Sequence, residues 1–286
     1  MLSNYFASFS INLWTDLQQM WQYDFMRHAF EAGTIIAIVA GVVGYFVVLR
    51  RLSFAAHALS HVGFAGAAGA VLISINPLVG LLAFTISGGL GMAALGKRAL
   101  NRDVQVGTVL AFMLGLGVLF ISLYKGYATQ AYSILFGEIL GISTSDVIIS
   151  LIVGALLLLV MLLIYKPLLF TTLDEDVAEA KGLPVLAINA LFLVIIAVAT
   201  SIAVQVVGVL LIFALLVTPA AIAERLSKRP FIGIVISAAV ALIATWFGIF
   251  VSYFQPYPVS FFITSLVFVT YVLVRIFTRK GRKATN

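Results

Sequence analysis

His57 and His61 are two of only three histidines in this chain of 286 residues. They stand four positions apart in the otherwise apolar stretch RRLSFAAHALSHVGFAGAAGA, Arg50 to Ala70. On an α-helix, positions i and i+4 lie on one face, one above the other. Two imidazoles so placed can hold one divalent metal ion. At ~1.5 Å of rise per residue, His57 lies ~9 Å and His61 ~15 Å beyond Arg51. With Arg50 and Arg51 at a membrane surface, both rings fall between that surface and the middle of a ~30 Å hydrocarbon slab. Ionisable side chains at that depth are costly and are usually functional. The pair could instead join helices as buried hydrogen-bonders, but the i, i+4 spacing on such a helix favours a metal or proton role.

The residues around the pair are small: Ala55, Ala56, Ala58, Ser60, Gly63, Ala65 and Gly66 lead a run that continues to Ala70. Small residues let helices approach closely in lipid. The histidine helix is therefore expected inside a bundle, not at its rim. His28, beside Arg27 and Glu31, reads as an ordinary interfacial histidine.

The elements that must position the pair follow from composition. The chain is 63% hydrophobic and 10% charged, with a mean hydropathy of +1.16. That is a polytopic, all-α membrane protein. Apolar runs occur at 29–49, 53–75, 77–96, 104–124, 145–165, 185–203, 206–224, 231–253 and 258–277. They predict about nine transmembrane helices, or eight if one run does not cross. The breaks are Asn76-Pro77, a charged loop from Lys97 to Asp103, a polar loop from Lys166 to Pro184, a basic turn from Glu224 to Pro230, and Pro256 with Pro258. Residues 1–28 read as an interfacial segment with Trp14, Leu17, Met20, Trp21 and Phe25 at helical spacing, not as a signal peptide. Residues 29–277 read as one transmembrane domain, 278–286 as a basic cytoplasmic tail, and Tyr132–Gly141 as a short outer helix or re-entrant piece.

All of the 17 basic residues except Arg27 and Lys125 fall on one side of these spans. That side is cytoplasmic by the positive-inside rule, which puts the N-terminus outside for nine crossings. The net charge of +6 is thus a matter of membrane orientation, not of nucleic-acid binding. With no cysteine, any transition-metal site must use histidine, carboxylate or main-chain oxygen.

Two further segments stand out. In LDEDVAEAKGLP, Leu173 to Pro184, acids lead and Lys181, Gly182 and Pro184 close, the pattern of a short cytoplasmic helix near 173–184. From Gln205 to Arg229 the chain passes Gly208, Thr218 and Pro219; the proline is either a transport-related bend or a packing kink. Some chemistries have no motif here. There is no P-loop, no H-E-x-x-H and no G-x-S-x-G. Carboxylates within spans are sparse, as Glu31, Asp103, Glu138, Asp146 and Glu224 all sit near span ends. A conduit energised by a partner therefore fits better than an autonomous carrier.

Several blocks now resemble, in order over about residues 23–275, the membrane permease subunits of bacterial ABC importers for zinc, manganese and iron. They are YDFMRHAFEAG, RRLSFAAHALSHVGFAGAA, NRDVQVGTVLAFMLGLGVLFISL, LFGEILGIS, LDEDVAEAKGLPV and VQVVGVLLIFALLVTPAAIAERLSKR. The resemblance implies the ABC importer permease fold in the bacterial plasma (inner) membrane. It also implies a homodimer of this chain, cytoplasmic ATP-binding subunits that carry out ATP hydrolysis, and an extracytoplasmic solute-binding protein. By the same resemblance, Asp174, Glu175, Asp176, Val177, Ala178, Glu179, Ala180, Lys181 and Gly182 form the coupling helix that meets the ATPase. In the family an Asp and a His contact the ion in transit. His61 matches, whereas His57 departs, since the usual residue there is Asp.

The expectation is thus a permease, not an enzyme, with no permanently bound cofactor and with Zn²⁺ as cargo first and Mn²⁺ or iron second. Imidazole nitrogen suits zinc, and carboxylate oxygen suits manganese better. Because neutral rings are needed and an unperturbed histidine titrates near ~6.5, transport should weaken below about pH 6. The alternatives are a proton- or ion-coupled secondary carrier working without an ATPase and, more weakly, a membrane metalloenzyme, for which no catalytic base is found.

Overall fold

The computed structural model describes residues 18–94, 103–124, 137, 139–255 and 257–283. In lipid every backbone N–H and C=O must be satisfied within the chain, and a run of helices does this. Among the described residues ten α-helices follow one another: α1 Asp24–Leu49, α2 Ser53–Leu72, α3 Pro77–Ala94, α4 Asp103–Leu123, α5 Thr144–Leu173, the short α6 Glu175–Ala180, α7 Val185–Val207, α8 Val209–Leu226, α9 Pro230–Phe254 and α10 Val259–Lys283. Among the described residues nine of them are long and apolar enough to cross a membrane, the exception being α6. The all-α, nine-span expectation holds.

Helix ends differ from the sequence reading where a polar residue marks the membrane surface without ending the helix. Lys166 and Pro167, read as the start of a loop, lie inside α5. Lys166 is exposed, while Leu168 and Thr171 beyond it are buried, so packing carries the helix on for about two more turns. Likewise α10 runs on to Lys283, through most of the segment read as a tail. At the other end α1 already begins at Asp24, so the last residues of the expected interfacial segment open the first span. Residues 1–17, with Trp14 and Leu17, and most of 125–138 lie outside the described residues; of the expected piece Tyr132–Gly141, Gly137 and a 3-10 turn, Ile139–Gly141, are described.

The layout puts α1, α2 and α7 at the centre and α4 and α10 at the periphery. Helix α1 packs against α9, α8, α5 and α7; α2 packs against α3 and α4; α3 packs against α7. The small residues of α2 allow this. A Cβ on Gly66 would overlap the Gly80 carbonyl of α3, and one on Gly80 would overlap the Gly66 carbonyl. The two backbones touch there, and extra methylenes in such a contact cost about 1–3 kcal/mol or more. The chain reverses between α7 and α8 at Gly208, whose φ of 81° and ψ of 162° lie in a region essentially closed to other residues. A one-residue connection between two spans is possible only because that residue is glycine.

Opposite ends of the bundle carry different polar contacts. Around His28, Ile142, Thr144, Asp146 and Gln205 the N-terminal ends of α1 and α5 meet the C-terminal end of α7. At the basic end, Arg50, Asn189 and Glu175 join α1, α7 and α6. Ser143 starts α5 with a capping box, its side chain accepting from Asp146 N while the Asp146 carboxylate accepts from Ser143 N.

Candidate metal-transit site

His57 and His61 sit in the second and third turns of α2. Their ring centroids are 4.7 Å apart and the ring planes nearly perpendicular, at 89°. The expected shared face is therefore real geometry. His61 is buried at 9% exposure and His57 is half-buried. In both rings Nδ1 is buried and has no hydrogen-bond partner among the described residues. The Ser60 hydroxyl, next in sequence to His61, donates to the His57 carbonyl at 2.7 Å and so is turned away from the rings. A buried polar atom without a partner is costly and needs a reason. Two such nitrogens on adjacent imidazoles form a donor set suited to a borderline divalent cation.

Beyond the pair, the wall is aromatic. Phe213 of α8 lies against His57 with ring centroids 4.5 Å apart. Nothing in the sequence singles out this residue among 22 phenylalanines. Its contact forms because α8 turns back at Gly208 and packs on α2. Among the described residues no third His, Cys, Asp or Glu joins the pair into a closed metal cage. A two-nitrogen set within one chain leaves the remaining coordination positions to water, main-chain oxygen or another chain, which suits an ion that must leave again.

The residues of the expected coupling helix fall as follows. Leu173 ends α5, and Asp174 caps α6, its carboxylate accepting from Val177 N at 3.0 Å. Glu175 and Asp176 occupy the first turn, Lys181 is the C-cap, and Gly182 follows with φ 79°. This is the αL glycine that commonly ends a helix. Ala178 is fully buried, whereas Asp176, Val177, Glu179 and Ala180 are exposed.

A polar chain unseen in the sequence links α6 to the end of α1, just before α2. Asn189 of α7 donates from Nδ2 to Glu175 Oε1 at 2.9 Å and accepts at Oδ1 from Arg50 Nη2. The Arg50 guanidinium also lies 5.4 Å over the ring of Phe192, one turn further along α7. Burial lowers the guanidinium from its ordinary value, and the Glu175 carboxylate partly offsets this. A lone amide in the first turns of an apolar helix was a readable signal for such a link.

The chain matches the model of the ABC 3 transport family over residues 22–278. It is 31% identical over 238 residues to the manganese transport system membrane protein MntC of Listeria monocytogenes, covering 83% of this chain and 85% of that one. It is 33% identical over 238 residues to the manganese import system permease protein ScaB of Streptococcus gordonii, with the same coverage. The solved structure of PsaBC from Streptococcus pneumoniae in complex with a Fab superposes with a TM-score of 0.82 at 28% identity, covering 91% of this chain and 94% of that one. An inward-facing metal-chelate type ABC transporter shares the fold, with a TM-score of 0.68 at 16% identity. This chain is therefore a multi-pass plasma-membrane permease of the metal-importing ABC type and belongs to the ABC 3 transport family.

Proposed function

We propose that the chain is the permease subunit of an ATP-driven importer of divalent transition-metal ions, with His57 and His61 as the intramembrane station for the ion. The observation that carries this is the pair of perpendicular imidazoles, 4.7 Å apart, whose buried Nδ1 atoms have no protein partner. Two copies of the chain would line the path, ATP-binding subunits would dock on the basic face, and a solute-binding protein would deliver the ion from outside. No cofactor stays bound; the metal is cargo.

Zinc is the first choice. Imidazole nitrogen is a good zinc ligand, and affinity for a given site rises from Mn²⁺ toward Zn²⁺ along the first-row series. Manganese is the second reading, favoured by the names of the MntC and ScaB relatives. The test is competitive uptake of buffered Zn²⁺ and Mn²⁺ by the complete complex in proteoliposomes. Zinc is expected to enter at the lower free concentration. Preferential manganese uptake would retire the zinc reading, and equal uptake without any ATPase would point to a secondary carrier.

Helix α6 is proposed as the coupling helix, with the exposed Val177 and Ala180 as its contact face and the buried Ala178 as its anchor. Replacing Val177 by Glu should release the ATPase from the purified complex without altering zinc binding by the permease. Full retention of the ATPase would remove this role from α6.

A further inference from the structure

We propose that Asn189 is a positioning residue for transport, tying Glu175 of α6 to Arg50 at the root of the histidine helix so that a displacement of α6 reaches His57 and His61. The inference rests on reading α6 as the contact with the ATPase. It starts from what each group can do. Arg50 can only donate hydrogen bonds, and an ionised Glu175 can only accept them. A residue between them must accept on one side and donate on the other, and a side-chain amide does both. Asn189 is placed for this, with Oδ1 toward Arg50 Nη2 and Nδ2 2.9 Å from Glu175 Oε1. An aspartate there would repel Glu175, and a leucine would make neither hydrogen bond.

The geometry at each end is stiff. Arg50 is held from two sides by α7, through Asn189 and through the ring of Phe192. Its own backbone closes α1, with Arg50 N donating to Phe46 O at 2.9 Å. Only Arg51 and Leu52 separate it from α2, and they have no slack. Arg51 takes the left-handed conformation at φ 59°, and Leu52 N donates back to Val47 O at 2.8 Å. Leu52 O in turn accepts from Ala56 N, the residue before His57. At the other end Glu175 opens α6, immediately after the cap Asp174. The polar chain is thus a hydrogen-bonded route from α6 to the residues that lead into the first turn of α2.

The test uses the complete complex in proteoliposomes and reads metal transported per ATP hydrolysed, alongside zinc binding by the permease at equilibrium. Asn189→Asp keeps the size and the Arg50 contact but turns the donor toward α6 into an acceptor. It should lower the transport-to-ATP ratio about tenfold, within the range for residues along a coupling network, with zinc binding unchanged. Adding Glu175→Gln places an amide opposite the new carboxylate, reversing the polarity of the bond and restoring the ratio. A normal ratio for Asn189→Asp, or no recovery in the double variant, overturns the proposal. Its failure is separable from that of the α6 reading, which stands or falls on whether Val177→Glu releases the ATPase.

Discussion

His28 and the pair His57–His61 are the same residue type under opposite conditions. Near the N-terminal end of α1, both ring nitrogens of His28 have protein partners. Nδ1 is 3.2 Å from the Ile142 carbonyl, and Nε2 is 3.3 Å from the Thr144 hydroxyl. Because a carbonyl only accepts, Nδ1 donates to it, while the Thr144 hydroxyl can serve Nε2 as donor or acceptor. The ring is a two-ended clamp between α1 and the start of α5. In α2 the rings meet each other and Phe213, and their Nδ1 atoms have no protein partner. A histidine whose nitrogens are all engaged by the protein has nothing to offer an ion. One with a buried, unengaged nitrogen beside a second such ring does. Partnering, more than depth or spacing alone, separates a structural histidine from a candidate ligand.

The largest expected effect is at His61, the more buried of the pair. His61→Ala removes one of two donors and should reduce metal uptake by at least about a hundredfold, the upper end of what loss of an outer-shell partner costs. The variant should still assemble with its partners, because Nδ1 of this ring holds no protein group. Uptake by reconstituted complexes, with assembly followed by size-exclusion chromatography, checks both halves. Normal uptake would reduce the pair to a packing feature and erase the contrast with His28.

His57 tests selectivity more than competence. His57→Ala should be impaired much like His61→Ala. His57→Asp keeps a ligand but replaces borderline nitrogen by hard oxygen, which favours manganese relative to zinc. The expected result is retained transport with the zinc-to-manganese preference moved toward manganese, about tenfold being the scale of one changed ligand. The contact with Phe213 sharpens the prediction. An imidazole packs against a phenyl ring, whereas a carboxylate does not, so Phe213→Leu should alter metal preference in the wild type and hardly at all in the His57→Asp background. Competition uptake in the four variants of this cycle gives the coupling directly. An unchanged preference in His57→Asp would move selectivity from this helix to the delivering protein.

How much of this was readable beforehand depends on the range of the interaction. The spans, the shared face of His57 and His61, the Asp174 cap and the closing Gly182 are local patterns, and each is legible over a few residues. The burial of α2 was foreshadowed by its alanines and glycines, although the facing residue, Gly80, was not. Helix ends at Leu173 and Lys283 were missed because charge reports where the membrane stops, while packing decides where a helix stops. Phe213 reaches His57 across 156 positions of chain, and Asn189 reaches Arg50 across 139. Contacts of that separation are set by tertiary packing and leave no periodic trace.

The smallest effect is expected at His28, and it bears most directly on the comparison. His28→Ala removes two hydrogen bonds, each worth about 0.5–1.5 kcal/mol net, and leaves the Ile142 carbonyl and the Thr144 hydroxyl to find other partners. Partial access to water at this half-buried position should hold the loss to about 1–2 kcal/mol. The melting temperature of the purified permease should fall by a few degrees, about 2–4 °C per kcal/mol on the scale of chains near this size. His28→Asn should fall less, because its amide can still donate toward the Ile142 carbonyl in place of Nδ1. Neither variant should change the zinc-to-manganese preference or lower uptake by more than about twofold, since neither nitrogen is available to an ion in the wild type. A shift in metal preference at His28 would mean that an engaged ring can still act on the cargo, and partnering would then fail as the criterion that sets His57 and His61 apart.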